Sequence, residues 1–163
     1  MRLLGILLLS LTPLWFGLDY QSSLKKRRDL YFKLKSFVIF VKEQIRFCGR
    51  ERDEIFALSD NNLEFNDSFF KSVKLALKNG EDLTKTLYDF NDIRLKSKEI
   101  IEISTFFTEL GKTDTEGQIN HCDYYINLFG QVGKGLSDAY ITKSRLTLGL
   151  SLALAAAMFI IMV

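Results

Sequence analysis

The clearest structural pattern in the chain lies in residues 117–140, GQINHCDYYINLFGQVGKGLSDAY. Its apolar residues recur at alternating steps of three and four, which predicts a helix with a heptad seam. Gly133 leaves a hole in this seam, between Gly130 and Gly135, and each glycine weakens a helix by about 1 kcal/mol relative to alanine. The glycines therefore indicate a bend, a close contact with a partner helix or a frayed stretch. The seam consists of Ile119, Cys122, Ile126, Phe129, Gly133, Leu136 and Tyr140.

The residues just before the seam predict the turn at which this last helix begins. Gly111 is expected to end the preceding helix in the left-handed conformation, which glycine adopts without strain. Thr113 and Glu116 have the spacing of a capping box, with the Thr113 hydroxyl accepting from the Glu116 N–H. Asp114 and Gln118 form either a docking surface or part of a motif that fixes the angle between two helices. We favour the second interpretation.

The sequence before this turn predicts helices only, so the fold class is all-α, a bundle of about six helices. No proline follows Pro13, and strand-like alternation bounded by turn residues is absent. The first helix carries an apolar stripe from Leu30 to Ile45, which Phe47 and three other aromatic residues widen. Asparagine, aspartate or serine at 66–68 is expected to cap a helix that stops at Gly80. The expected helices cover roughly 22–47, 52–58, 69–79, 83–90 and 100–110, followed by the seam helix.

Two apolar segments flank this helical region. Of 42 charged side chains, 41 lie between Asp19 and Arg145. As helices, the first segment, residues 3–18, would reach about 24 Å and the second, residues 146–163, about 27 Å, close to the hydrocarbon core of a bilayer at roughly 30 Å. A cleaved signal peptide is the alternative for the first segment, but no small-residue cleavage site follows it. The predicted parts are a membrane anchor in 1–20, a helical domain in 21–145 and a transmembrane helix in 146–163.

Small residues recur every four positions in the second segment, at Gly149, Ala153 and Ala157. Such a stripe lets two helices approach closely in lipid. It is either a packing face for the first segment or another subunit, or a tolerated run of small apolar residues. A homo-oligomer is compatible with the first interpretation.

Basic residues at the inner flanks predict the topology, because positive residues stay on the cytoplasmic side of a membrane. The domain is therefore expected to be cytoplasmic, with both termini outside. Two scattered thiols, Cys48 and Cys122, agree with a reducing compartment. The residues that carry this topology signal are Lys25, Lys26, Arg27, Arg28, Lys143 and Arg145.

The sequence offers little equipment for catalysis. His121 is the only histidine, and beside a heptad position a structural role is favoured over catalysis. The glycine-rich stretch 130–135 has the wrong spacing for a phosphate loop, and no strand precedes it. Between Asp19 and Arg145 the basic and acidic residues nearly balance, which argues against nucleic-acid binding. We expect no catalytic residue, metal, cofactor or small-molecule substrate.

One local charge bias stands out, because ten basic and three acidic residues occur between Lys25 and Arg52. Three interpretations compete: the topology signal alone, contact with anionic lipid headgroups, or binding of an acidic protein partner. Arg46, Arg50 and Arg52 lie too far from the apolar segment for the first, so they are the candidate partner-binding patch.

The turn and the first residues of the last helix read Leu110-Gly111-Lys112-Thr113-Asp114-Thr115-Glu116-Gly117-Gln118. This stretch resembles the L-G-x-[ST]-D-x-E-x-Q signature of the stage III sporulation protein AB family. The opening Leu3-Leu4-Gly5, the closing Gly149-Leu150 and the whole architecture also fit that family. The resemblance implies a helical domain similar to the cytoplasmic domains of type II secretion F proteins.

The resemblance also implies a function. It implies a structural component, essential for endospore formation, of the channel that joins mother cell and forespore. The expected location is the mother-cell membrane around the forespore. The expected partners are the lipid bilayer, the secretion-type ATPase stage III sporulation protein AA and other stage III sporulation A proteins. The alternative from the residues alone is a membrane-anchored helical adaptor or regulator unrelated to secretion.

Overall fold

The computed structural model describes residues 2–90 and 93–162, and within them the chain forms six α-helices, one short 3-10 turn and no strand. The all-α prediction and the number of helices are thus confirmed for this part of the chain. The 3-10 turn covers Leu63–Phe65. The helices are α1 (Arg2–Cys48), α2 (Arg52–Ser59), α3 (Ser68–Asn79), α4 (Leu83–Asp89), α5 (Ser97–Glu109) and α6 (Thr115–Met162).

The ends of the short helices follow local chemistry that the sequence displays. Asp67 caps α3, because its side chain accepts from the Phe70 N–H at 3.1 Å. Gly80 ends the same helix in the left-handed conformation, with φ of 68°. Asp82 then caps α4 through the Thr84 N–H. These contacts confirm the predicted cap and the predicted stop, and they make α3 and α4 separate helices.

The two long helices, α1 and α6, pack against each other in antiparallel directions. Near the N-terminal end, Gln21 Nε2 donates to the Ser144 carbonyl at 3.3 Å. Further along, Lys42 Nζ contacts Asp123 Oδ1 at 2.6 Å. Pairs across the interface therefore have residue numbers that sum to about 165. This register brings the start of α1 and the end of α6 out of the domain at the same end.

The core lies between these two helices and the four short ones. The stripe predicted on α1 is buried, with Leu34, Phe37, Val38 and Val41 fully inaccessible. Phe37 is at its centre, since four other phenylalanine rings lie with centroids 5.0–6.0 Å away. These rings, Phe56, Phe65, Phe70 and Phe107, come from α2, the 3-10 turn, α3 and α5, so one residue of α1 joins all of these elements.

The seam of α6 faces α1 and the core as the heptad pattern predicts. Cys122 and Phe129 are fully buried, and Gly133 is buried too. A Cβ built on Gly133 would lie 3.5 Å from a Phe32 ring atom, and one on Gly130 would lie 3.6 Å from Lys35. The helix continues through all three glycines. Gly130 and Gly133 therefore pack against α1 at ordinary contact distances, and the frayed-stretch interpretation is wrong.

No helix within the described part of the chain has a stretch both long and apolar enough to cross a membrane. The predicted first membrane segment falls on residues 3–18, whose side chains lie outside the described residues. The second, residues 146–163, is described only in part. Gly149, Ala153 and Ala157 belong to that part and are exposed. The two membrane helices and the three-part division of the chain stay predictions.

Candidate functional site

The turn between α5 and α6, residues 110–114, holds most of the motif singled out in the sequence. Leu110 is buried in the core and fixes where α5 ends. Gly111 follows with φ of 90°, a conformation that side chains with a Cβ rarely adopt. A Cβ at Gly111 would also lie 3.4 Å from the Cβ of Arg52. The left-handed glycine is thus confirmed, and it lets the turn pack against the start of α2.

The side chain of Gln118, near the start of α6, hydrogen-bonds to two backbone groups of the α5–α6 turn. Its Oε1 accepts from the Gly111 N–H at 3.0 Å, and its Nε2 donates to the Thr113 carbonyl at 3.1 Å. The side chain is only 8 % exposed. Because both ends of the amide are engaged within the turn, these contacts favour the interpretation that Gln118 fixes the angle between α5 and α6.

The cap of α6 lies one residue later than the sequence suggested. Asp114 is the capping residue, because its Oδ1 accepts from the Gly117 N–H at 3.0 Å. The predicted capping box between Thr113 and Glu116 is therefore wrong, and both of those residues are exposed. A carboxylate is a strong acceptor at a helix N-terminus, where the exposed N–H groups carry partial positive charge. Gly117 is the matching residue, since a Cβ there would lie 2.8 Å from Asp114 Oδ1.

Two of the three patch arginines lie beside this motif. The α1–α2 connection and the α5–α6 turn face each other across a cleft of about 480 Å³, which we call the distal cleft. Arg50 and Arg52 line it from one side, and Gly111, Thr113 and Gln118 from the other. Residues more than 55 positions apart thus form one surface. No pattern along the chain indicates that these two features meet.

The third arginine, Arg46, is exposed on the last turn of α1 and does not line the cleft. Its guanidinium lies 5.4 Å from the centroid of the Phe47 ring. Phe47 is 75 % exposed, so the prediction that it widens the buried stripe is wrong. Helical spacing predicts the side of the helix on which a residue lies. It does not show that α1 ends one residue after Phe47, where the ring is left exposed. The result is an exposed aromatic ring beside an exposed cation.

The charges around the distal cleft are mixed and not simply basic. Arg52 Nε pairs with Asp53 Oδ1 at 3.2 Å, and Arg50 donates to the side chain of Gln44. Residues 46–54 contain three basic and three acidic side chains, and residues 109–116 add one basic and three acidic ones. The local basic excess seen along the chain therefore belongs to the other end of α1.

The residues of the topology signal lie at that other end, and Arg27 and Arg28 among them form ion pairs that the sequence did not reveal. Arg27 Nη2 pairs with Glu99 Oε1 at 2.5 Å, and both side chains are only 11 % exposed. Glu99 also accepts from the Lys96 N–H at 2.7 Å. Arg28 pairs with Asp29 at 2.7 Å and lies over the Tyr140 ring of α6. Of the rest, Lys25, Lys26, Lys143 and Arg145 are exposed.

The groups best suited to proton transfer or nucleophilic chemistry are engaged in packing. The His121 ring stacks on Phe106 with centroids 5.5 Å apart, and its Nε2 lies 3.2 Å from the Phe106 carbonyl oxygen. Burial, with Asp123 nearby, raises the pKa of the Cys122 thiol to about 12. Burial also raises the pKa of Tyr31, helped by Glu99. In the part of the chain that the structure describes, no three His, Cys, Asp or Glu side chains form a metal-binding group.

The protein is thus an all-α domain built on one antiparallel pair of long helices, with a motif turn at one end of the pair and basic residues at the other. The family profile of stage III sporulation protein AB matches residues 2–163, so the chain belongs to that family. Membership assigns it a role in stage III of sporulation and points to partners among the stage III sporulation proteins. No curated protein and no solved structure matches the chain.

Proposed function

We propose that the chain is a structural membrane component of the channel between mother cell and forespore, where it couples the ATPase stage III sporulation protein AA to channel partners. The apolar segments anchor it in the mother-cell membrane, and the domain lies on the cytoplasmic side. The observation that carries this proposal is the polarity of the α1–α6 pair. Both apolar ends leave one end of the domain, and the motif turn occupies the other.

Because the distal cleft lies at the end of the domain opposite the apolar segments, a cytoplasmic partner can bind there. From Asp19 to Cys48, α1 has 30 residues, which extend about 45 Å at 1.5 Å per residue. A partner bound at the cleft would therefore lie clear of the lipid headgroups. Coupling between an ATPase and a membrane channel requires such a spacer, and a continuous helix pair transmits a displacement along its axis.

The exposed end of α1 supplies the chemistry for that contact. Aromatic residues and arginines dominate the binding energy of protein interfaces, and Phe47 and Arg46 present both side by side. Arg50 and Arg52 add donors, while Glu51 and Asp53 lie between and beside them. The partner surface that fits is an apolar pocket whose rim carries carboxylates and at least one cation.

The chain is proposed to have no catalysis of its own. His121 and Cys122 are used in packing, which supports a structural role. The purified full-length chain should not hydrolyse ATP. Hydrolysis that persists through a second, unrelated purification would contradict this part of the proposal.

The test of the docking surface is a binding measurement between the full-length chain in detergent and the ATPase. Reversing charge at Arg46, Arg50 and Arg52 to glutamate should weaken binding at least about tenfold, since each lost hot-spot contact is typically larger than 1 kcal/mol. A matched control reverses the exposed Lys71, Lys78 and Lys85 on α3 and α4, with the same change of net charge. Equal loss in both variants would point to net charge alone and reject this docking surface.

Gene deletion tests the wider proposal. Loss of spores with normal engulfment is expected for a channel component. Unimpaired spore yield would reject the channel role and favour the adaptor unrelated to secretion.

A further inference from the structure

The connection between α4 and α5 lies beside the start of the domain, although it is more than 60 residues away in sequence. Arg94 Nη1 pairs with Asp19 Oδ2 at 3.0 Å. One turn into α5, Glu99 pairs with Arg27. Ile93 and Phe90 line the same shallow pocket as Lys26 and Leu30. The connection is thus level with the residues that follow the first apolar segment.

Exposed basic side chains from three separate parts of the chain meet at this level. Tyr20 of α1 accepts a hydrogen bond from Lys143 Nζ of α6 at 3.3 Å. The residues of α6 just before the second apolar segment therefore lie beside the residues of α1 just after the first apolar segment. The α4–α5 connection and the first turn of α5 add three more cations. We call the set the basal surface: Lys25, Arg94, Lys96, Lys98, Lys143 and Arg145, all exposed.

The acidic residues at this level do not cancel the basal surface. Asp29 is engaged by Arg28 at 2.7 Å, and Glu99 by Arg27. Asp19 lies against Arg94, and Glu102 lies 3.7 Å from Lys98. Asp138 is exposed on the facing part of α6. Counted over the described residues of 19–29, 89–102 and 138–145, basic side chains still outnumber acidic ones by nine to six.

The backbone of the connection supports a specific role for its arginine. Arg94 has φ of 53° and is the one non-glycine residue with a positive φ in the described part of the chain. This conformation is uncommon for a residue with a Cβ, and such residues concentrate at functional sites. The strained turn keeps the Arg94 guanidinium 61 % exposed, at the level of Asp19.

We infer that the basal surface binds the phosphate groups of anionic phospholipids, so that the α4–α5 connection is a third contact between the domain and the membrane. The inference rests on the proposed membrane anchors, because these turn this end of the domain toward the leaflet. Charge complementarity selects the lipid, since clustered Lys and Arg next to a membrane are attracted to anionic headgroups. Three contacts that are not in one line fix the tilt of the α1–α6 pair, which two helices alone leave free.

The experiment places a reporter in the connection of the full-length chain. Ser97 is exposed between Lys96 and Lys98, so Ser97→Cys in a Cys48→Ser background carries a fluorophore there. Cys122 is fully buried and stays unlabelled. The chain is reconstituted in lipid nanodiscs of phosphatidylcholine, with or without phosphatidylglycerol, that contain a headgroup-labelled quenching lipid.

Quenching should be stronger with phosphatidylglycerol and should disappear at about 1 M KCl, where the Debye length is about 3 Å. Replacing Lys96 and Lys98 with glutamine should lower the docking equilibrium constant about 25-fold, roughly fivefold per cation. The matched control replaces Lys78 and Lys112 with glutamine and should leave quenching unchanged. Both lysines are exposed; Lys112 lines the distal cleft, and Lys78 lines a second pocket.

The outcomes separate this inference from the proposal on which it rests. A chain that enters neither kind of disc overturns the anchors and this inference together. An inserted chain that is quenched equally in both lipids overturns the lipid contact alone. Equal loss in the Lys96–Lys98 and Lys78–Lys112 variants would also overturn it, because net charge would then explain the effect.

Discussion

Two regions of the same helix pair are held together by different physical means. Over residues 30–45 of α1 the contacts with α6 and the short helices are mainly apolar and buried, and ion pairs such as Lys42 with Asp123 lie at the solvent-exposed edge. Over residues 20–28 they are mostly polar, such as the hydrogen bond of Gln21 with Ser144 and the cation–π contact of Arg28 with Tyr140. The short helices surround only the first region, and Glu99 at the start of α5 marks the boundary.

The difference assigns separate tasks to burial and to charge. Burial of aromatic rings should supply most of the free energy of unfolding, because apolar area removed from water is the dominant favourable term. Polar contacts at the other end add little stability where they are exposed. They determine instead how the helices are oriented and, in the proposed arrangement, which surface faces the membrane. The following changes test this division.

The largest effect is expected for Phe37→Ala in the aromatic core. Phe37 touches rings from four other elements, so truncation leaves a cavity that no single helix shift can close. The free energy of unfolding should fall by about 3–5 kcal/mol. Urea unfolding of the full-length chain in detergent, followed by circular dichroism, measures this change.

The matched control is Phe47→Ala, the same chemical change at a ring that is 75 % exposed. Its free energy of unfolding should stay within about 0.5 kcal/mol of the parent chain. Equal destabilisation by the two substitutions would show that the ring cluster is not the centre of the core.

The next effect is expected at the boundary, for Arg27→Ala. The substitution leaves the Glu99 carboxylate nearly buried without its guanidinium, and the free energy of unfolding should fall by about 2 kcal/mol. Arg28→Ala, which removes a half-exposed pair with Asp29, should cost less than about 1 kcal/mol.

A double variant sharpens this prediction. Replacing Arg27 with methionine and Glu99 with glutamine removes both charges and keeps an acceptor for the Lys96 N–H, so it should restore much of the loss. If the double variant is as unstable as Arg27→Ala, the cost lies in helix packing and not in the unpaired carboxylate.

The sequence predicted the regions where local chemistry decides the structure. The stripe from Leu34 to Val41 lies in the core because its spacing matches one helical face. Asp67 and Gly80 bound α3 because their backbone preferences are strong and local. The turn at Gly111 follows for the same reason.

The sequence could not predict what depends on how the helices extend past one another. Thr113 and Asp114 both carry acceptors, and only the backbone shows that Asp114 is the cap. Phe47 has core spacing, yet it lies at the end of α1 and is exposed. The basal surface was hidden because Arg94 and Asp19 are separated by 75 positions along the chain.

A smaller effect is expected in the motif turn, for Gln118→Ala. The change removes the partner of the Gly111 N–H and of the Thr113 carbonyl, at a cost of about 1–2 kcal/mol. Gln118→Glu should recover little of that, because glutamate still accepts from Gly111 but places a carboxylate oxygen against the Thr113 carbonyl oxygen. If Gln118→Ala leaves stability unchanged and weakens ATPase binding, Gln118 is a docking residue and our interpretation of the motif is wrong.

The smallest effect, and the one of opposite sign, is expected for Gly135→Ala on α6. A Cβ there would meet no described atom within 4 Å, and alanine favours a helix by about 1 kcal/mol over glycine. The free energy of unfolding should therefore rise by up to about that amount. Gly133→Ala should behave similarly, since its Cβ would make ordinary contacts with Phe32 and Tyr31.

Spore yield decides what the gain means. If Gly135→Ala is more stable and sporulates normally, the glycine has no assembly role and the polar region tolerates a more rigid helix. If it is more stable but sporulates poorly, a partner helix approaches α6 at that position, because stability alone cannot explain the loss. The first result agrees with a division between a core that stabilises the domain and a polar end that orients the two long helices. The second result would add to that polar end a packing contact with a further subunit.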